Sequence, residues 1–406
     1  MHKFAVHKFG GSSLATPERV GLTADLITRS LAEGKRLAIV VSAQGRTTDS
    51  LLRQGREFCP EMPPREQDAL VCCGENMSAA ITAAAISARG FPAVSVNAFQ
   101  MRLITDNRHN DARITALENK DYLLRMMESG VTPVITGFQG IDRSGNLTTL
   151  GRGGSDTTAV ALAYALEAEE CVLFSDVRGV YTADPAIVPD AVLLSEISYD
   201  EMQELAWAGA KVVNHRSLDL AKEYRVRVLA CSSFDPGPGT LISDGGSVEK
   251  TGVKGITYSR QEALITLQGI SQNSGVALSV LSALSNAQIN IEMLSHGMSF
   301  DGFENFSLLV KKDRLPNACS TIQPLLCDRS KLLCDADIGC VTLVGSGLRD
   351  VQGAVHLVFS LLSSQKIPIY LMSTSEIRIT AVVSSADVEK AVLILHQGFA
   401  LSGHSS

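Results

Sequence analysis

Gly151-Arg152-Gly153-Gly154-Ser155-Asp156-Thr157-Thr158 runs directly into Ala159, Val160, Ala163 and Leu166, apolar residues at helical spacing. A glycine loop that opens a helix lets the backbone come close to a ligand. It also turns free N–H groups and the positive helix end toward that ligand. The one arginine in the loop carries the planar fork that grips a carboxylate or phosphate through two hydrogen bonds. A flexible linker is polar throughout and has no amphipathic helix behind it, so the stretch predicts an anion site at a helix N-terminus.

Outward from this loop, the first 240 or so residues alternate strand and helix. Phe4 to Lys8 reads as a strand broken by Gly10-Gly11-Ser12-Ser13. Thr16-Pro17-Glu18 is a helix start, with a capping hydroxyl, proline at the first helical position and an early acid. Val20, Ala24, Ile27 and Leu31 continue at helical spacing until Gly34. Leu37 to Val41 is a continuous apolar run, as expected of a strand buried on both faces. Further strands are predicted at Ala93–Val96, Thr132–Thr136, Cys171–Phe174 and Val226–Ala230. The pattern predicts an α/β fold, a mostly parallel sheet sandwiched by helices.

Around residue 235 the character changes. Asp235-Pro236-Gly237-Pro238-Gly239 and Ser243-Asp244-Gly245-Gly246 are turn-rich punctuation. Beyond them, Gly275 to Ser295 aligns without a gap to Gly353 to Ser373. Matches fall at Gly275/Gly353, Val280/Val358, Ser282/Ser360, Leu284/Leu362, Ile289/Ile367 and Ile291/Ile369. Each copy follows a strand ending in glycine, Gly269 or Gly345, and reads glycine loop, amphipathic helix, strand, further strand. A duplicated regulatory module of small β-α-β-β units is the expectation.

Composition narrows the class. The 406 residues suffice for two or three domains, and 45% hydrophobic content is that of a soluble globular protein. No unbroken apolar run approaches the roughly 20 residues that span a bilayer, and Met1-His2-Lys3-Phe4 leads straight into strand-like sequence, so no membrane association is expected. Nine cysteines without CxxC spacing read as reduced thiols of a cytoplasmic protein. Cys319, Cys327, Cys334 and Cys340 have uneven gaps and no nearby histidine, which argues against zinc. A net charge of −7 disfavours nucleic-acid binding.

No GxxxxGK[ST] loop occurs, and no GxGxxG follows the first strand, so neither a P-loop nor an ordinary dinucleotide-binding signature is present. Several glycine-rich strand ends each bear one functional side chain. Lys8 precedes Phe9-Gly10-Gly11-Ser12-Ser13, either a phosphate-neutralising arrangement beside a backbone nest or a solvated strand-end lysine. Ser42 to Asp49 is a small hydroxyl loop that could hold a substrate or be an ordinary turn. Cys73-Gly74-Glu75 reads as the opening of a helix with Glu75 in its first turn, a dipole partner or a buried acid facing a substrate ammonium. Ser175 to Pro185 has the mix of Asp, Gly, Tyr and Thr seen where a nucleotide is held, or is a plain long surface loop, though loops of this length in compact domains tend to be functional. Gly209-Ala210-Lys211 brings a second lysine.

These pieces occur in the order KFGGSS, SAQGRTTDSLL, GENMSA, TDNRHNDARI, GFQG, TTLGRGGSDTTAVALA, SDVRGVYTADP and GAKVV. In this the chain resembles the monofunctional aspartokinases over nearly its whole length. The resemblance implies an amino-acid-kinase domain at 1–245 and tandem βαββαβ-like ACT domains at 250–333 and 334–406. It implies ATP-dependent phosphorylation of L-aspartate to 4-phospho-L-aspartate, the entry step to lysine, threonine and methionine synthesis, with Mg²⁺ carried by the nucleotide. The implied catalytic residues are Lys8, Asp156 and Lys211. Glu75 would take the substrate ammonium and Arg152 its carboxylate, with Ser42, Thr47, Thr48 and Ser155 nearby, the choice between the two threonines left open. Gly10, Gly11, Ser12, Ser175, Asp176, Tyr181, Asp184 and Lys211 would hold the nucleotide. Gln272, Ser274, Gly275, Asn290 and Ile291 would face an amino-acid effector, lysine or threonine. A homodimer through the ACT domains, or a higher oligomer, is also implied.

The chain departs from that pattern at its control loops. Ser271-Gln272-Asn273-Ser274-Gly275 stands where the family commonly has an acid before Pro-Gly, and Val351-Gln352-Gly353 where it has His-Pro-Gly. Asn290-Ile291-Glu292 is kept in copy one but becomes Pro368-Ile369-Tyr370 in copy two, losing a backbone N–H. Losing a charge partner for a buried ammonium costs several kcal/mol, so weakened or altered feedback is expected. Ala186 also replaces the arginine usual after the family's Asp-Pro.

Overall fold

The computed structural model describes residues 4–235, 237–244, 252–271, 275–298, 302–326, 330–346, 348 and 353–402. The chain divides into two compact units. The first holds residues 1–180, 193–206 and 211–248; the second holds 181–192, 207–210 and 249–406.

The first unit is built on an eight-stranded sheet. In chain order its strands are β1 (Phe4–Phe9), β2 (Arg36–Val41), β3 (Ala93–Val96), β4 (Thr132–Thr136), β5 (Glu170–Ser175), β6 (Glu196–Ser198), β7 (Val228–Ser232) and β8 (Thr240–Ser243). They lie in the order β6-β8-β7-β5-β1-β2-β4-β3, all parallel except the β7–β8 pair. β1 is central, in register with β2 on one side and β5 on the other. The strand order reverses there, and in open α/β sheets ligands bind beyond the carboxyl ends of strands at such a switch point.

The helices that position the site are α1 (Pro17–Ala32), α2 (Thr47–Phe58), α3 (Pro64–Ser87), α4 (Lys120–Glu128), α5 (Gly154–Ala165), α6 (Tyr199–Trp207) and α7 (His215–Tyr224). α1 starts as its sequence dictates: Thr16 caps it by accepting from Arg19 N at 3.3 Å, and Pro17 takes the first position. Val20, Ala24 and Ile27 enter a core shared with Phe9, Leu37, Ile39, Ile86 and Val134. Burying each such side chain contributes roughly 1.5–3 kcal/mol.

Two expectations are corrected. Thr47 and Thr48 begin a helix, α2, instead of lying in an open loop. Glu75 does not sit in a first turn, because α3 begins eleven residues earlier at Pro64 and Glu75 is buried in mid-helix. α3 is also long and apolar enough, by length and composition alone, to cross a bilayer. Its length comes from small residues interrupted by acids, and here it is a core helix with Asp68 and Glu75 both buried.

The second unit carries two antiparallel four-stranded sheets. Its strands are β9 (Gly255–Ser259), β10 (Glu262–Ser271), β11 (Met293–Met298), β12 (Phe303–Lys311), β13 (Lys331–Asp335), β14 (Ile338–Val344), β15 (Leu371–Thr374) and β16 (Arg378–Ser384). Its helices are α8 (Val276–Asn286), α9 (Leu315–Ile322), α10 (Ala354–Ser364) and α11 (Val388–Gly398). The orders are β11-β12-β10-β13 and β9-β14-β16-β15, so the strand preceding the first repeat is donated to the second sheet. The repeat has a physical basis. Gly275 and Gly353 both cap helices at φ +70° and +81°, a region that glycine enters without steric cost. Val280, Leu284 and Ile289, like Val358, Leu362 and Ile367, are buried in the cores of their own sheets. Leu309, Ile338, Cys340 and Val382 form a further core between the sheets.

Candidate active site

The turns leaving β1, β2 and β4 and the turn opening α5 interlock in the first unit. Ser42 N donates to Phe9 O at 3.1 Å, Gly45 N to Gly11 O at 2.9 Å and Gly137 N to Val41 O at 2.9 Å. Gly11 is required by closeness: a Cβ there would lie 2.6 Å from Ala43 O. On α5, Gly153 is the N-cap at φ +75°, which puts Gly154, Ser155 and Asp156 in the first turn, all buried. Phe138 N donates to Thr158 Oγ1 at 3.2 Å, fixing the β4 turn to that helix.

Lys8 reaches over this floor. Its Nζ is 2.6 Å from Asp156 Oδ1, with both side chains 12% exposed, and a Cβ on Gly10 would stand 3.5 Å from that ammonium. Bare backbone therefore faces a buried cation, the arrangement that receives a phosphate. Asp156 Oδ2 accepts from Asn214 N at 3.3 Å.

Glu75 lies across the β2 turn, 3% exposed. Its Oε1 accepts from Ala43 N at 3.0 Å, while its buried Oε2 has no partner. Burial raises its pKa to about 7, opposed by the Ala43 bond. A buried acid with one oxygen open is what a ligand cation would complete. Thr47 Oγ1 donates to Gln44 O at 2.7 Å, closing its own turn, and Ser42 and Thr48 are half-buried nearby in sequence. Arg152 is exposed at the loop crest.

Three residues not anticipated from the sequence organise this site. Asn214, at the N-cap of α7, donates through Nδ2 to Arg152 O at 2.9 Å, besides its bond to Asp156. Arg216 binds Leu150 O, Ala112 O at 2.8 Å and Asp111 Oδ1 at 2.7 Å. Asp68, fully buried on α3, accepts from Thr149 Oγ1 at 2.5 Å and from Asn110 N at 3.1 Å, and lies 2.7 Å from His109 Nδ1. The 109–112 loop so held abuts Gly151, whose Cβ would meet Asn110 O at 3.0 Å. Asn214 follows the GAKVV motif and Asp68 follows Pro63-Pro64. The helix-start signal of those prolines was legible, but the acid's partners, 41 to 81 residues away, were not.

The remaining expected residues are placed as follows. Gly10, Gly11 and Ser12 lie in the β1 turn beside Lys8. Ser175 ends β5, its hydroxyl accepting from Val177 N at 3.3 Å, and Asp176 is exposed. Lys211 is exposed three residues before Asn214. Tyr181 and Asp184 belong to the second unit. There Asp184 Oδ1 accepts from Ala186 N at 2.9 Å and Oδ2 from Tyr258 Oη at 3.4 Å. Thr182 Oγ1 lies 2.9 Å from His396 Nε2, and Ile256 N donates to Thr182 O at 2.7 Å. Gly275 caps α8, Asn290 is exposed and Ile291 packs on the first repeat's core. Gln272 and Ser274 lie outside the described residues.

A switch-point crevice with a buried lysine, a helix N-terminus and an open carboxylate, on a chain that also carries duplicated regulatory sheets, defines a regulated kinase of small carboxylates. The model of the amino acid kinase family matches residues 3–231, and that of the ACT domain residues 341–399. An aspartate kinase of Stutzerimonas stutzeri is 37% identical over 400 residues, covering 98% of this chain and 97% of that one. E. coli aspartokinase III in complex with aspartate and ADP (R-state) superposes with a TM-score of 0.79 at 24% identity, covering 98% and 99% of the two chains. The same enzyme with lysine and aspartate (T-state) gives 0.78 at 23% identity, again covering 98% and 99%. The chain belongs to the aspartokinase family.

Proposed function

We propose that this chain transfers the γ-phosphoryl group of ATP to the side-chain carboxylate of L-aspartate, giving 4-phospho-L-aspartate and ADP at the entry to lysine, threonine and methionine synthesis. The observation that carries the substrate assignment is Glu75, buried with Oε2 unpartnered. Such a group suits a free α-ammonium and disfavours an N-acetylated acid.

Glu75 holds the ammonium and Arg152 the α-carboxylate, with Ser42 and Ser155 beside them. Thr48 is the better threonine contact, because the Thr47 hydroxyl already donates to Gln44 O. The attacking carboxylate, with an ordinary pKa near ~4, is ionised at neutral pH and needs no general base. One of its oxygens attacks the γ-phosphorus as the bond to the ADP oxygen breaks. The obstacle is repulsion between two anions, and phosphoryl transfer is largely positioning plus charge stabilisation. Lys8 supplies a cation at the transferring phosphoryl group, oriented by Asp156. Lys211 supplies a second on the nucleotide phosphates. Gly10, Gly11, Ser12 and the α5 N-terminus offer backbone N–H groups, and Ser175 and Asp176 hold the nucleotide. The same role for Tyr181 and Asp184, which belong to the second unit, rests on the family resemblance alone. Mg²⁺ arriving on ATP would neutralise phosphate charge.

As a working division along the sequence, residues 1–245 form the catalytic domain, apart from 181–192 and 207–210, which belong to the second unit. Residues 250–333 and 334–406 form the ACT domains, the boundary between them falling inside β13. The protein is read as a cytoplasmic homodimer through its ACT domains. Lysine, present in the E. coli aspartokinase III complex, and threonine are the effectors to assay. Gln272, Ser274, Gly275, Asn290 and Ile291 are the effector-loop residues.

One assay tests the reading. The protein is incubated with ATP, Mg²⁺ and aspartate, glutamate or N-acetylglutamate, and acyl phosphate is trapped with hydroxylamine. Hydroxamate with aspartate alone is expected. Signal with another acid reassigns the substrate, and none with any acid points to an amino-acid sensor on a vestigial kinase fold.

A further inference from the structure

Two cysteines, one on the edge strand of the β11-β12-β10-β13 sheet and one on a helix packed in the same core, stand closer than packing requires. Cys319, on α9, has its Sγ 2.7 Å from Sγ of Cys334, on β13. Both are free thiols; Cys334 is exposed and Cys319 half-buried. Unbonded sulfurs in van der Waals contact stand roughly 3.6 Å apart, and a disulfide needs about 2.05 Å. The pair is therefore held most of the way to bonding distance by elements packed for other reasons. α9 is fixed by Ala318 and Ile322 in the core, and β13 by its ladder to β10, where Cys334 pairs with Ile265. A metal fits less well. Two thiolates on one tetrahedral zinc stand about 3.8 Å apart, and among the described residues no group of three or more His, Cys, Asp or Glu could hold a metal.

We propose that Cys319 and Cys334 form a reversible disulfide, made by exchange with a small disulfide of the glutathione class, which fastens α9 to the edge strand β13. Cys334, the accessible member, attacks one sulfur of oxidised glutathione as its thiolate. The oxidant's S–S bond breaks, one glutathione thiolate leaves and a mixed disulfide forms on Cys334. The Cys319 thiolate then attacks the Cys334 sulfur and expels the second glutathione. The protein loses two protons and two electrons, and the oxidant takes them up as two thiols. In the reduced protein burial, with Cys319 adding, pushes the Cys334 thiol up to about 12. Exchange is therefore slow at neutral pH and gains about tenfold per pH unit. The staple closes a short loop, which restricts the unfolded chain. It also fixes the strand that runs, two residues on, into β14 of the second sheet.

The test uses the full chain at pH 8.5 with millimolar oxidised glutathione, followed by peptide mapping without reductant and thermal unfolding. A single Cys319–Cys334 cross-link is expected, lighter by two hydrogens than its reduced peptides. The unfolding midpoint of the regulatory half should rise by roughly 5 °C, a rise reversed by dithiothreitol and absent from Cys334→Ser and Cys319→Ala. Both variants should keep basal kinase activity. Glutathione on the exposed Cys59 and Cys73 without the cross-link would overturn the proposal. So would arrest at a mixed disulfide on Cys334, or a cross-link that leaves the midpoint unmoved.

Discussion

Lys8 Nζ and Asp156 Oδ1 are 2.6 Å apart, joining the central strand to the first turn of the helix behind the glycine loop. Lys8→Ala removes the cation from the developing charge and leaves Asp156 with Asn214 N but without its ion-pair partner. The expected result is a kcat lower by on the order of 10²-fold or more, with a smaller change in aspartate KM. A variant with near-normal kcat removes Lys8 from the mechanism.

Arg152 contributes its backbone to Asn214 while its side chain stands exposed. Arg152→Ala should raise aspartate KM by on the order of 10-fold or more and leave ATP KM unchanged. Steady-state titration of each substrate checks it. Loss of ATP affinity with aspartate affinity intact would show that the arginine holds the other ligand.

Glu75 makes aspartate binding pH-dependent. Its pKa near 7 in the free protein means that the acid is largely protonated at pH 6 and ionised at pH 8. An incoming ammonium favours the ionised form, so aspartate KM should fall as pH rises from 6 to 8. Stability runs the opposite way. An acid whose folded pKa lies above its unfolded value adds stability below the unfolded value, and that contribution is lost as pH rises through 7. The shift corresponds to about 3 kcal/mol at pH 8. Glu75→Gln should then bind aspartate poorly at every pH, lose the KM slope and unfold a few degrees higher at pH 8. A retained slope assigns it to another group.

Asp68 ties α3 to the 109–112 loop and to Thr149. Asp68→Ala leaves buried donors unmatched and should cost about 3 kcal/mol of stability. Because the loop abuts Gly151, aspartate KM should also rise, more than ATP KM. Urea unfolding and kinetics on the same preparation separate the two effects. An unchanged aspartate KM would make Asp68 structural only.

Feedback should be weak. With Gln272 and Asn273 where the family commonly has an acid, an effector ammonium lacks its charge partner. Lysine and threonine should each inhibit on the order of 10²-fold less tightly than at an acid-bearing loop. Strong inhibition at low concentration of either amino acid in the hydroxylamine assay would contradict this.

The parts of the fold legible in sequence were those governed by local rules. β3 and β4 fall at the residues expected, and the Thr16-Pro17 start of α1 is as read. The repeat was visible because the same apolar positions face both cores. The start of α3 escaped notice: Pro64 and Glu66 repeat the proline and early acid of Pro17-Glu18, but Pro63 stands where Thr16 supplies a capping hydroxyl. The buried face of α3 runs at helical spacing through Asp68, Cys72, Glu75, Ser78, Ala79 and Thr82, while Met77 and Ile81 are exposed. Polar residues inside and apolar ones outside hide the helical period. The glycine motifs come together at the β1, β2 and β4 turns, and it was their order along the chain that drew notice, since a strand-end lysine taken alone reads equally as a solvated one. Asn214, Arg216 and Asp68 act through contacts across 41 to 105 residues, and no local spacing encodes such partners.

The excursion of residues 181–192 has a practical meaning. Ala183 and Val188 are packed with Ile256, Val341 and Val392, and Thr182 meets His396. A protein cut off at residue 248 would keep this segment but lose every one of those neighbours, exposing apolar surface in the stretch that carries Tyr181 and Asp184. Replacing this chain's second unit at the single junction after residue 248 would therefore strip those contacts. A working chimera has to exchange 181–192 and 207–210 together with everything after 248, as one interleaved cassette.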